Sequence, residues 1–184
     1  MSTSNSDLAT LFLEFSRHKF IGEFLPRMNE CVALLTPEQI WWRPNEASNS
    51  IGNLLLHLNG NARQWLVASF NRDEDKRNRP AEFAAEEGGT AAELLDRLGA
   101  TLDEAAAVLD RLTVNELIAP YEIQGYHTRG LDVVYHVVEH FGMHYGQMVY
   151  ITKLLSGKDL GFYKSCPAQD ARPRIKRHSA GRIA

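Results

Sequence analysis

The sequence is poor in the features that mark specialised classes of protein. It has two cysteines in 184 residues, Cys31 and Cys166, and no C-x-x-C pair. That excludes a disulfide framework and fits a reducing cytoplasm. Cys31 reads as a small buried hydrophobe and Cys166 as a tail residue rather than as reactive thiols. No apolar run approaches the ~18–20 residues that cross a bilayer. The opening MSTSNSDLATLFLEFSRHKF lacks a basic segment followed by an apolar block, so no secretory signal is expected. An excess of positive charge is missing too. Twenty basic residues face 23 acidic ones, a net charge of -3, which argues against nucleic acid as the main partner. The one basic cluster is Arg172, Arg174, Lys176, Arg177 and Arg182, with no acid after Asp170. A solvated, flexible tail over 164–184 is expected, with a phosphate-binding arm as the alternative. No internal repeat or low-complexity block stands out.

What is present is the composition of an ordinary globular domain, 44% hydrophobic and 23% charged. The length suits one domain with a sizeable core, placed at residues 1–163. Four stretches carry helical periodicity. The first runs from about Asp7 to Leu35, with Leu11, Phe15, Phe20, Phe24 and Met28 near helical spacing and Pro26 expected to kink or split it. Thr36-Pro37-Glu38-Gln39 is a capping-box pattern opening a short turn with Ile40, Trp41 and Trp42, ended by Pro44. The second helix opens near Ser50, and Ile51, Leu54, Leu55 and Leu58 form one stripe that Trp65 and Leu66 continue. It stops before the charged run NRDEDKRNRP. The third starts at Thr90, capped with Glu93, carries Leu94, Leu95, Leu98, Leu102, Ala105, Ala106 and Leu109, and ends near Leu112. The fourth, from about Leu131 to Leu155, is apolar on most sides and closes at Ser156-Gly157, so it should be central. The segment LIAPYEIQGYHTRG before it predicts a short hairpin or extended loop. An all-α four-helix bundle follows, with long crossovers over Asn71–Gly89 and Thr113–Gly130. Loops of that length in a compact domain are often functional.

The seven histidines carry the chemistry. His136, His140 and His144 lie on the fourth helix, and residues four apart project from one face. His140 and His144 can therefore present both imidazoles to one ion, the i, i+4 geometry of zinc peptidase helices. A third ligand must come from elsewhere. His57, beside the leucine stripe of the second helix, is the candidate, because a buried imidazole needs partners for both ring nitrogens. A metal would satisfy one nitrogen and a hydrogen-bond acceptor the other. Three neutral nitrogens with open positions describe a catalytic or substrate-binding site rather than a closed structural one. The bland alternative is a set of hydrogen-bonded core histidines. Two rivals use the same residues. His136-Val-Val-Glu139-His140 fits the H-x-x-E-H pattern of inverted zinc peptidases with Glu139 as base, and haem could sit between His57 and a fourth-helix histidine. His136 remains open as a ligand in place of His144 or as a supporting group.

Two motifs resemble the DinB/YfiT-like four-helix-bundle metalloproteins. NSIGNLLLHLNGNARQW (Asn49–Trp65), preceded by WWRPN, looks like that family's second-helix histidine segment. VEHFGMHYGQMVYITKLLSG (Val138–Gly157) resembles its H-x-x-x-H-x-G-Q helix, and RPAEF (Arg79–Phe83) resembles a poorly characterised branch. The likeness implies a divalent transition metal (zinc, nickel or iron) held by His57, His140 and His144, which favours His144 over His136. Water would fill the remaining positions. Gln147 is implied as a packing or supporting residue, and Gly142 and Gly146 as points of close approach for a helix or substrate. Characterised relatives include thiol-dependent S-transferases and an isomerase, so a small-molecule substrate, a low-molecular-weight thiol above all, is expected. The thiol, or alternatively water, would be activated at the ion. Trp41, Trp42, Arg43, Tyr121, Tyr126 and His127 lie in connections that could line the entrance, the two tryptophans reading better as core plugs. The competing class is non-catalytic, a stress-related metal-binding or interaction module. Apolar first and fourth helices could supply the seam of a homodimer in either class.

Overall fold

The computed structural model describes residues 4–162. The expected basic stretch 164–184, with Cys166 and His178, lies outside the described residues. Four helical rods make the frame. The first joins α1 (Asn5–His18) to α2 (Leu25–Val32) through a π-helical segment, Lys19–Phe24. After the short α3 (Pro37–Trp41) comes the second rod, α4 (Ile51–Ala62), a second π-helical segment (Arg63–Ala68) and α5 (Ser69–Asn71). A short α6 (Arg79–Ala84) precedes the third rod, α7 (Ala91–Leu109). Then follow α8 (Val114–Ile118), a hairpin of β1 (Pro120–Ile123) and β2 (Tyr126–Arg129), and the fourth rod, α9 (Gly130–Ser156). The fold is all-α apart from this hairpin. Among the described residues no helix is long and apolar enough to cross a membrane.

The starts obey local hydrogen bonding. Thr36, Ser50, Thr90 and Thr113 each accept from the backbone N–H three residues on, while the side chain there accepts from the cap's own N–H. Each such pair satisfies two donors that a helix end would otherwise leave orphaned. Gly157, at φ 66°, closes α9 in the left-handed region that favours glycine. Gln124 (φ 53°) and Gly125 (φ 78°) both take positive φ, as the tight turn of a two-residue hairpin loop requires.

Two expectations are corrected by backbone chemistry. Of the kink or split expected at Pro26, the split does not occur, and α1, the π-helical segment and α2 run on without a gap. The ladder has already shifted to π spacing before Pro26, with the Leu25 N–H bonding to Phe20 O, so the proline falls in the first turn of α2. A proline is tolerated there because its missing N–H is not needed. The connection after Asn71 is not simply a loop, because Asn78 caps α6 with Pro80 in its first turn.

The core lies where the rods face one another. Phe20, Met28, Leu54, Leu55, Leu58, Leu66, Leu98, Leu102 and Phe141 are fully buried, each contributing about 1.5–3 kcal/mol by leaving water. The predicted stripe of α7 is buried throughout. α4 packs against α7, α6 and α9, so its sides face both the core and the α6 connection. α6 is tied to the start of α4 by side chains. Asn53 Nδ2 donates to Glu82 O at 2.9 Å and Ala85 O at 2.7 Å. Arg43 Nη2 donates to Phe83 O at 3.1 Å and Ala85 O at 2.8 Å.

Gly130 begins α9 against α8, where an added Cβ would overlap the backbone carbonyl of Glu116. Gly130→Ala should destabilise the protein by about 1–3 kcal/mol, because backbone cannot step aside as a side chain can. Gly99, in the middle of α7, would meet only Leu25 at 3.8 Å. Gly99→Ala should stabilise by about 0.5–1 kcal/mol. Equilibrium urea unfolding of both variants checks the pair of opposite signs.

Candidate metal centre

α4 and α9 bring imidazoles together from two rods. His57 is 2% exposed and lies on the side of α4 turned toward α6 and α9. His140 and His144 project from one face of α9. One ring nitrogen of each of the three lies within 4.8 Å of the others. His57 Nε2 and His140 Nε2 are 2.8 Å apart. The rings of His140 and His144 meet edge to face, with centroids 4.4 Å apart.

The second ring nitrogens of His57 and His144 are held. His57 Nδ1 lies 2.8 Å from Glu82 Oε2, so the Nδ1–H donates to the carboxylate and Nε2 keeps its lone pair toward α9. Glu82 is itself gripped by Arg77, whose Nε and Nη2 donate to its two oxygens, each at 2.8 Å. The Arg77 and Glu82 side chains are 4% and 10% exposed. His144 Nδ1 is 2.7 Å from Gln147 Oε1, which likewise leaves its Nε2 free to coordinate. Carboxylate and amide acceptors of this kind are what orient metal-binding imidazoles.

Electrostatics favour the neutral form of the histidines on α9. Burial pushes His140 down to about 3, and the neighbouring His144, His57, His136 and Arg77 add repulsion. His144 is lowered chiefly by burial, against the opposing hydrogen bond of Gln147. His136 is also lowered by burial. Burial would raise Glu82, but hydrogen bonds and charge from Arg77 and His57 outweigh it and leave the carboxyl below its ordinary value. Neutral imidazole is the ligand form of histidine, and three imidazoles whose ring nitrogens lie within 4.8 Å of one another could hold a divalent ion.

His136 is not part of the triad. It sits beside it, stacked on His140 at 5.4 Å and against Trp65 at 4.2 Å. Glu139 is exposed and His136 lies outside the group of converging nitrogens, so the inverted-peptidase arrangement does not form. No porphyrin fits between His57 and His140, whose nitrogens are in hydrogen-bond contact. Gly142 has only Phe24, at 3.8 Å, near its missing side chain, and Gly146 has nothing within 4 Å, so no neighbouring helix approaches closely at either. Of the six residues proposed for the entrance, Tyr126 and His127 line a cavity of about 640 Å³ beside His57 and His140. Trp41 covers Gly52, Trp42 packs on the core, Tyr121 meets Phe70 edge-on at 4.9 Å, and Arg43 clamps α6.

Glu82, Arg77 and Gly60 are the residues that sequence reasoning missed. Arg77 sits in a charged run that by composition reads only as a helix stop. Glu82 lies in RPAEF, and the demand of a buried histidine for a second acceptor was the available signal. Gly60 matters because an added Cβ would overlap Glu82 Oε1 and come within 2.9 Å of Arg77 Nε.

Gly60→Ala should therefore force the buried ion pair off His57 and cost about 3 kcal/mol, read by urea unfolding. The histidines set a pH dependence for the metal-free protein. Their folded values lie below the ordinary 6.5, so the unfolded chain binds more protons as pH falls. Their contribution is complete above about pH 6.5 and is lost progressively toward the folded values. Glu82 adds to this loss only below its ordinary 4.5. The urea midpoint should fall between about pH 7.5 and pH 5, and His140→Gln should flatten that fall.

Residues 24–148 match the DinB superfamily, a span that holds the Asn49–Trp65 motif, the first part of the Val138–Gly157 motif and all three histidines. Solved structures share the fold. A conserved protein from Enterococcus faecalis is 18% identical with a TM-score of 0.63, the match covering 85% of this chain and 100% of that one. A DinB-like protein from Bacillus subtilis is 17% identical with a TM-score of 0.61, over 82% of this chain and 97% of that one. No curated protein matches the chain. With more than half its length matched to the family and the same architecture in solved relatives, the chain belongs to the DinB superfamily.

Proposed function

We propose that this protein is a metal-dependent enzyme that holds a divalent ion at His57, His140 and His144 and activates a small-molecule thiol, as in S-transfer, or water. The observation that supports this is the position of the cluster. Its His57 and His140 edges form part of the wall of the roughly 640 Å³ cavity, so a guest can reach them. Three imidazoles suit zinc, nickel or iron. Such an ion supplies Lewis acidity and lowers the pKa of a thiol or water beside it.

The chain's own residues do the rest. Glu82, locked by Arg77, holds His57 in the tautomer that presents Nε2, and Gln147 does the same for His144. Trp65 and Tyr126 give the cavity an aromatic lining. A reducing cytoplasm, where low-molecular-weight thiols are abundant, suits this chemistry.

A second reading keeps the ion without turnover, as a dimeric binding protein. It is favoured by apolar side chains facing outward on α1 (Leu8, Leu11, Phe15) and α9 (Tyr135, Met143, Tyr150, Leu154).

Protein purified without a histidine tag should carry about one divalent ion per chain by elemental analysis. His57→Ala should lower ion affinity by at least about 100-fold while circular dichroism stays helical. Ion content unchanged by His57→Ala would sink the site. With ion present, turnover of a thiol on a chromogenic electrophile separates the two readings. Light scattering of a catalytically silent dimer would favour the second.

A further inference from the structure

The cavity beside the histidines contains a polar atom that the fold leaves unused. Asn61 lies one turn after His57 on α4, on the same face, and lines the cavity with His57, His140, Trp65 and Tyr126. It is 3% exposed, and its side-chain oxygen is buried with no hydrogen-bond partner. A buried acceptor without a partner is costly, and folded proteins rarely keep one. Two of the long polar side chains on the same cavity wall are committed elsewhere. Arg77 is bound to Glu82 and to Gln64 Oε1 at 2.9 Å, and Gln124 donates to Gln64. Trp65, one further turn along the same rod, is tilted on His136 with ring centroids 4.2 Å apart, and Tyr126 lies 6.5 Å from it.

We propose that Asn61 is a specificity-determining residue whose side-chain oxygen accepts a hydrogen bond from an N–H of the substrate, so that the site selects small molecules carrying an amide a few bonds from their metal-directed group. The spacing supports this class. One helical turn separates Asn61 from His57, about 6 Å along the axis. A group held at the histidine cluster and an N–H two carbons away span such a distance. An unmet acceptor rejects analogues that lack the donor. This inference rests on the metal reading of the three histidines.

The test uses two probes that differ in one atom. N-acetylcysteamine carries a thiol and an amide N–H, and 2-mercaptoethyl acetate has an ester oxygen in place of the N–H. Binding of each to the zinc-loaded full chain is measured by calorimetry, with zinc content measured separately. Wild type should bind the amide about tenfold more tightly. Asn61→Leu, close in volume but without the acceptor, should lose that preference while keeping its zinc. Absence of the preference in wild type, or its survival in Asn61→Leu with zinc retained, overturns the proposal. Asn61→Ala replaces the leucine variant where that does not fold. If wild type binds no zinc, the metal reading fails by itself, and the acceptor is judged on the metal-free chain. A higher melting temperature for Asn61→Leu then supports an oxygen unmet in the free protein. A lower one shows that the fold or a water already satisfies it and overturns the proposal.

Discussion

The centre of this protein depends on one buried imidazole whose two nitrogens are both engaged. His57 donates from Nδ1 to Glu82 and turns Nε2 toward His140. Neither contact is available within α4 itself. A histidine among leucines costs free energy unless both ends are met, so the second rod can pack only if α6 delivers a carboxylate on one side and α9 delivers an imidazole on the other. Arg77 makes the carboxylate tolerable by pairing with it in the same low-exposure environment. The polar centre therefore couples three elements that the apolar core alone would leave free to slide.

The same constraint shapes the surroundings. Glu82 reaches His57 because position 60 has no side chain. α6 stays in place because Asn53 and Arg43 bind its last carbonyls. Asn53 also belongs to the capping pair that starts α4, so one side chain begins the helix that carries His57 and anchors the helix that carries its partner. A rigid mount of this kind is what a metal or substrate site needs, because small displacements of a ligand atom weaken coordination or catalysis. The low protonation tendency of His140 follows from the same crowding, since a charge there would face burial and three other imidazoles at once.

Much of the frame was legible from residue order. The capping pairs at Thr36 and Thr90, the leucine stripes of α4 and α7, the near all-round apolar α9 and the hairpin before it are local or periodic signals, and each appears close to its expected bounds. The course of the rod at Pro26 was less legible, because a proline's effect depends on the hydrogen-bond register that reaches it, and the shift to π spacing is not written in composition. The i, i+4 pair on α9 was legible because helical geometry alone puts His140 and His144 on one face. The supporting shell was not. Arg77 and Glu82 are five residues apart in a charged connection, and their meeting with His57 depends on how that connection folds back over α4.

The order of residues by itself determined four amphipathic or apolar rods, where most of them begin, and which histidines share a helix face, because these follow from short-range hydrogen bonds and a 3.6-residue period. Only the tertiary structure decided that His57 faces α9 and not solvent, that Glu82 rather than Glu139 serves the cluster, and that Asn61 has an oxygen with no partner. Those outcomes are set by contacts between segments distant in the chain, where burial, close approach at Gly60 and the cost of an unpaired polar group choose among arrangements that local sequence leaves equal.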